Sequence, residues 1–154
     1  MEAVSQDRRK VITDRLIQIE HDENATILLA VESGSRAWGF HSPDSDYDVR
    51  LIYARPVDEY LTIVTRKDTL DFPIDDQLDI SGWDLRKTLA LISRSNATPL
   101  EWLQSPITYG EDCVTRQSLW EAINVCFCPR STTAHYVGLT TRSLRKLEEQ
   151  GAKT

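Results

Sequence analysis

Two short motifs at a fixed distance constrain this chain more than anything else in it. Gly34-Ser35 falls at the end of the apolar run TILLAVES (26–33), and Asp46-Tyr47-Asp48-Val49 opens the segment DYDVRLIYA (46–54), with ten residues between Ser35 and Asp46. An apolar run bounded by turn residues reads as a buried strand, and DYDVRLIYA reads as a second one. Side chains two apart on a strand share a face, about 6.6–6.8 Å apart along it. Asp46 and Asp48 are therefore expected to point the same way and to hold divalent ions from one side. Two Mg²⁺ ions about 3.5–4 Å apart can stabilise the attacking and leaving oxygens of an in-line phosphoryl displacement. Gly34 lets the backbone approach phosphate oxygens closely, with amide N–H groups and the Ser35 hydroxyl as donors. The third carboxylate such chemistry needs fits best at Asp79, which lies between Leu78 and Ile80 and so faces away from the layer those two enter. Asp71 is the runner-up, while Asp75 and Asp76 read as turn residues.

Around these motifs the chain divides into a mixed part and a helical part. Val11, Ile12, Leu16 and Ile19 recur at helical spacing, which predicts an amphipathic helix over 5–21, ended by HDEN. After the two strands, PVDEYLTIV reads as a short helix, and 66–72 and 77–83 as two strands joined by PIDD. Asp84 is a good N-cap for a helix over 85–95 with one apolar stripe. Thr98-Pro99 starts a short helix through LEWLQ, and two longer helices follow over 111–128 and 131–150. The expected architecture is α+β: a small mixed sheet with flanking helices, then a helical part. A core over 1–106 and a helical extension over 107–154 follow from this order. Tyr136, Leu139 and Leu144 need something to pack on, so the extension reads as the start of a truncated carboxy-terminal helical domain.

The segment GSRAWGFHSPDSDYDV resembles the signature of the DNA polymerase beta-like nucleotidyltransferases: strand, Gly-Ser, about ten residues, then Asp-x-Asp on a second strand. It is most similar to the predicted nucleotidyltransferase group linked to RNA repair pathways. That group shares the wording around Gly34, Ser35, Ala37, Trp38 and Gly39, an LDISGWDL-like segment over Leu78 to Leu85, and a stretch like Glu101 to Pro106. The resemblance implies a polymerase beta-type fold in which Asp46 and Asp48 bind metal, Asp79 is the third carboxylate, and Gly34 and Ser35 hold the triphosphate. Arg36, beside that turn, is the candidate cation for a phosphate. Two Mg²⁺ ions, or Mn²⁺ in their place, and an NTP substrate follow. The implied reaction moves a nucleoside monophosphate from the NTP to a hydroxyl acceptor with release of pyrophosphate. An RNA end is the acceptor the resemblance suggests; a protein or small-molecule hydroxyl stays open, as do a non-catalytic nucleotide sensor and a protein-interaction module on the same fold.

Charge narrows the partners. With 18 Lys and Arg against 24 Asp and Glu the net charge is −6, which excludes a basic nucleic-acid module and makes a polyanionic acceptor depend on local clusters of cations. No stretch approaches the ~20 consecutive apolar residues of a membrane helix, and the charged beginning is unlike a leader peptide. The expectation is a cytoplasmic protein without a membrane partner. Cys113, Cys126 and Cys128 lack metal or redox spacing and read as buried reduced thiols. Trp38 reads as packing over the sheet edge, His41 as a solvated loop residue, and His135 as a packed one; Trp83 and Trp102 read as core.

Overall fold

A computed structural model describes residues 4–64 and 66–151. The first three and last three residues of the chain, on which the readings of its two ends partly rest, lie outside the described residues. Six helices and five strands occur among them: α1 (Gln6–Glu23), β1 (Thr26–Glu32), β2 (Tyr47–Ala54), α2 (Val57–Tyr60), β3 (Thr69–Asp71), β4 (Leu78–Asp84), α3 (Leu85–Ile92), α4 (Ala97–Gln104), β5 (Thr108–Glu111), α5 (Cys113–Cys126) and α6 (Pro129–Gly151). The strands form one mixed sheet in the order β3-β4-β2-β1-β5. β1 runs antiparallel to both β2 and β5, β3 runs antiparallel to β4, and the central pair β2 and β4 is parallel.

Each face of the sheet buries its own core. On one side α1 lays Ile12, Leu16 and Ile19 over Ala30, Val49, Leu51, Tyr53, Leu78 and Ile80. On the other, Leu29, Val31 and Ile52 meet Ile92 of α3, Trp102 and Leu103 of α4, and Leu119 and Ile123 of α5. The alternation along β2 and β4 produces this division, since successive side chains enter opposite layers. It also settles where the chemistry-bearing residues stand. Asp48 and Asp79 alternate with Val49 and Ile80, which face α1, and so project from the opposite face.

The helix ends follow local sequence. Ser5 caps α1, its hydroxyl accepting from Arg8 N, and Asn24 closes it in the left-handed region at φ 48°. Asp84 caps α3, its carboxylate accepting from Arg86 N at 2.8 Å, as its sequence position predicts. Pro129 opens α6 at the first helical position, where a missing N–H costs nothing.

Two expectations change. The helix expected over 111–128 is α5, one helix trimmed to Cys113–Cys126 and capped by Asp112, but residues Thr108–Glu111 ahead of it form an unexpected strand, β5, on the free edge of β1. β5 and α5 thus join the sheet and its core directly after residue 106. The cysteines are free, but Cys113 and Cys128 are exposed rather than buried, because both sit at helix starts facing solvent. Trp102 is buried and stacks on Trp83, with ring centroids 4.2 Å apart. Tyr136, Leu139 and Leu144 on α6 are exposed.

Candidate functional site

The site forms where the parallel strands β2 and β4 begin. Their register places Asp48 directly beside Asp79, so two carboxylates lie next to each other on one face. Like charges side by side on neighbouring strands destabilise a sheet, and Arg50 resolves the conflict. Two residues beyond Asp48, it shares its face and reaches both carboxylates with one nitrogen: Nη2 lies 3.1 Å from Asp48 Oδ1 and 2.7 Å from Asp79 Oδ2. Its Nη1 donates to the Val49 carbonyl at 3.1 Å and the Asp79 carbonyl at 3.0 Å. The two carboxylate side chains are each 29% exposed and that of Arg50 18%, so the group is partly open to solvent.

Burial raises the Asp48 carboxyl above its ordinary range; Arg50 works against this, and the negative charges of Asp79 and Asp46 add to it. Asp46 itself precedes β2 and is exposed. The structure therefore brings Asp48 and Asp79 together, with Asp46 close enough for its charge to act on Asp48. Asp71 is elsewhere, opposite Ser81 on β3 and paired with Lys67 at 3.1 Å. Asp75 and Asp76 lie in the turn before β4, where Asp76 takes a positive φ of 44° and pairs with Arg8.

The turn after β1 packs against Asp48. Ser33 N donates to the Asp48 carbonyl at 2.9 Å, Ala37 N to the Gly34 carbonyl at 3.0 Å, and Phe40 N to the Ser35 carbonyl at 3.1 Å. Gly34 packs its bare Cα against the Asp48 carboxylate. Arg36, the candidate phosphate cation, turns inward instead. It is 6% exposed, its Nε and Nη2 donate to the carbonyls of Asp46 at 3.2 Å and Ser45 at 2.5 Å, and its guanidinium lies 3.9 Å from the centroid of the Tyr47 ring. Arg36 thereby braces the loop that delivers Asp46. Trp38 is 46% exposed, rather than packed over the edge, and its indole N–H donates to the Ser33 carbonyl at 3.3 Å. His41 is half-buried, and its Nδ1 is buried with no hydrogen-bond partner.

Sequence reasoning passed over Arg50 and Glu32. Glu32 ends β1 and is fully buried; its Oε1 accepts from the Asp48 backbone N–H at 2.8 Å and its Oε2 from the Tyr109 hydroxyl at 2.6 Å. Burial and the neighbouring carboxylate push the Tyr109 hydroxyl far above its usual range. Ser105 Oγ donates to the Glu32 carbonyl at 2.5 Å, tying the end of α4 to the same point. The face rule that pairs Asp46 with Asp48 also points to Arg50, two residues further on.

The donor chemistry suits a hard cation, since carboxylate oxygens are what Mg²⁺ takes. Among the described residues no three His, Cys, Asp or Glu side chains converge on one point. Two carboxylates do, around the guanidinium of Arg50, which stands in for the positive charge between them.

A mixed sheet flanked by helices, with paired carboxylates beside a Gly-Ser turn, has the form of the polymerase beta-type nucleotidyltransferase fold. The chain belongs to the RNA repair pathway DNA polymerase beta family, RlaP, whose model matches residues 8–154. It is also 46% identical over 134 residues to the protein of Bacillus subtilis (strain 168) named "Uncharacterized protein YcgL", a match that covers 87% of this chain and 52% of that one. The chain spans about half the length of this relative. No helix among the described residues is long and apolar enough to cross a membrane.

Proposed function

We propose that the chain is the core of a metal-dependent nucleotidyltransferase that moves a nucleoside monophosphate from an NTP to a hydroxyl acceptor. The observation that carries this reading is the in-register pairing of Asp48 with Asp79 beside the Gly34-Ser35 turn. In the reaction the acceptor oxygen bonds to the α-phosphorus, the bond from that phosphorus to the α,β-bridging oxygen breaks, and pyrophosphate leaves. Asp46, Asp48 and Asp79 would hold the Mg²⁺ or Mn²⁺ ions, which supply Lewis acidity and charge neutralisation at the transferred group. Asp79, on β4 beside Asp48, takes the acceptor's proton. The backbone of Gly34 and Ser35, with the Ser35 hydroxyl, binds triphosphate oxygens; Arg36 acts by holding the loop that positions Asp46. An RNA end is the acceptor the family points to.

The Arg50 ion pairs favour a second reading, in which the same pocket binds nucleotide without turnover because its carboxylates are already partly neutralised. Incubating the protein with Mg²⁺, each labelled NTP and bulk RNA or protein separates the two. Label transfer with pyrophosphate release supports the enzyme, and Mg²⁺-dependent NTP binding without release supports the sensor. Asp79→Asn is expected to spare much of the NTP binding and abolish release, while Asp48→Asn damages both. If both variants leave NTP binding and release at wild-type levels, the site lies elsewhere.

A further inference from the structure

The guanidinium of Arg50 is fixed by more than the charges it neutralises. Of its four hydrogen bonds, two go to the carboxylates of Asp48 and Asp79 and two to backbone carbonyls, one on each of β2 and β4. Breaking the carboxylate contacts would still leave the cation tethered in the same place. An ion approaching these carboxylates therefore meets a positive charge that cannot simply swing away. It also meets a pair whose formal charge of −2 has already been reduced to −1.

We propose that Arg50 is the resident counterion of the Asp48–Asp79 pair and makes divalent-ion binding conditional on the triphosphate. The inference rests on the nucleotidyltransferase reading above. Without nucleotide, the fixed cation repels the ion and occupies one oxygen of each carboxylate. With nucleotide, the triphosphate oxygens bring the negative charge and the ligands that offset Arg50. Repulsion between a unit charge and a divalent ion about 5 Å apart, even at a water-like dielectric, corresponds to about tenfold in affinity or more. A purely structural Arg50 has the opposite sign: removing it would loosen the carboxylates and weaken ion binding.

The test titrates Mn²⁺ into the full chain, by calorimetry or by the spin-resonance signal of the free ion, with and without a non-hydrolysable NTP analogue. Wild type, Arg50→Gln and Arg50→Lys are compared after circular dichroism has established that each is folded. Wild type should bind the ion at least about tenfold more tightly with the analogue than without it. Arg50→Gln should bind the ion alone about tenfold more tightly than wild type, and Arg50→Lys should stay near wild type. Equal or weaker ion binding by Arg50→Gln overturns the proposal. Should Arg50→Gln not fold, wild type decides: an ion affinity that ignores the analogue overturns it. If neither wild type with the analogue nor Arg50→Gln binds any ion, the nucleotidyltransferase reading itself fails and takes the proposal with it.

Discussion

The space a side chain would need on Gly34 is filled by Asp48. A Cβ built there would lie 2.6 Å from Asp48 Cγ and 2.9 Å from Asp48 Cβ, with Oδ2 closer still. Glycine is thus required by the neighbouring carboxylate, whatever its backbone does for phosphate. Gly34→Ala should push Asp48 out of register with Arg50 and cost about 1–3 kcal/mol, the usual penalty of overpacking. Urea unfolding measures it. Gly34→Val should be worse, so the variant does not isolate phosphate contact from folding, and an unchanged midpoint in Gly34→Ala would mean the carboxylate moves aside freely.

Glu32 accepts from two buried donors, the Asp48 N–H and the Tyr109 hydroxyl. Glu32→Ala leaves both without an acceptor, at about 1–3 kcal/mol each, and Tyr109→Phe removes one charged hydrogen bond worth about 1.5–3 kcal/mol. Because the two share a bond, the double variant should lose less than the sum of the singles. Strict additivity in denaturant unfolding would show that the contact carries no energy.

Ionised Asp48 is disfavoured where it stands, since burial and the charges of Asp79 and Asp46 outweigh Arg50 in raising its pKa. A carboxyl raised on folding stabilises the fold at low pH and loses that contribution as pH rises through its folded value. Asp48→Asn should accordingly melt higher than wild type at pH 7, and the gap should narrow as the pH falls into the ordinary carboxylate range. A variant that melts lower than wild type at pH 7 would place the Arg50 bond above the cost of the charge.

Cys128 stands exposed just before α6, and the hydroxyl of Ser131, followed by its N–H, holds the thiol below its ordinary value. A lowered pKa means more thiolate at a given pH and faster alkylation. Ser131→Ala should therefore shift the rate of Cys128 modification by iodoacetamide to higher pH, read by peptide mass spectrometry. A profile that does not move would remove Ser131 from the account.

How much of this was readable beforehand depended on where the partners lay. β1, β2 and β4 were legible because each carries apolar residues at strand spacing between turn residues, and Asp79 because it falls between Leu78 and Ile80 and so must face away from the layer those two enter. β5 was not. Its sequence, TYGE, carries a glycine and a charge and runs straight into the cap of α5; only the open edge of β1 makes it a strand. Glu32 was hidden for the same reason, since a glutamate at a strand end reads as solvent-facing unless the strand bringing Tyr109 is known. Arg36 beside the Gly-Ser turn looked outward on proximity alone, yet the carbonyls of Ser45 and Asp46 draw it inward.

The parallel pairing of β2 with β4 has a kinetic consequence. Asp48 and Asp79 become neighbours only after the intervening chain, with α2 and β3, has crossed over and docked. Contacts of such separation form late, because chain entropy is lost before they return anything. Partly folded forms that already hold α1 against the β1–β2 hairpin would lack the paired carboxylates altogether. During refolding, ligand binding at this site should appear with the slowest phase rather than with the first helical signal.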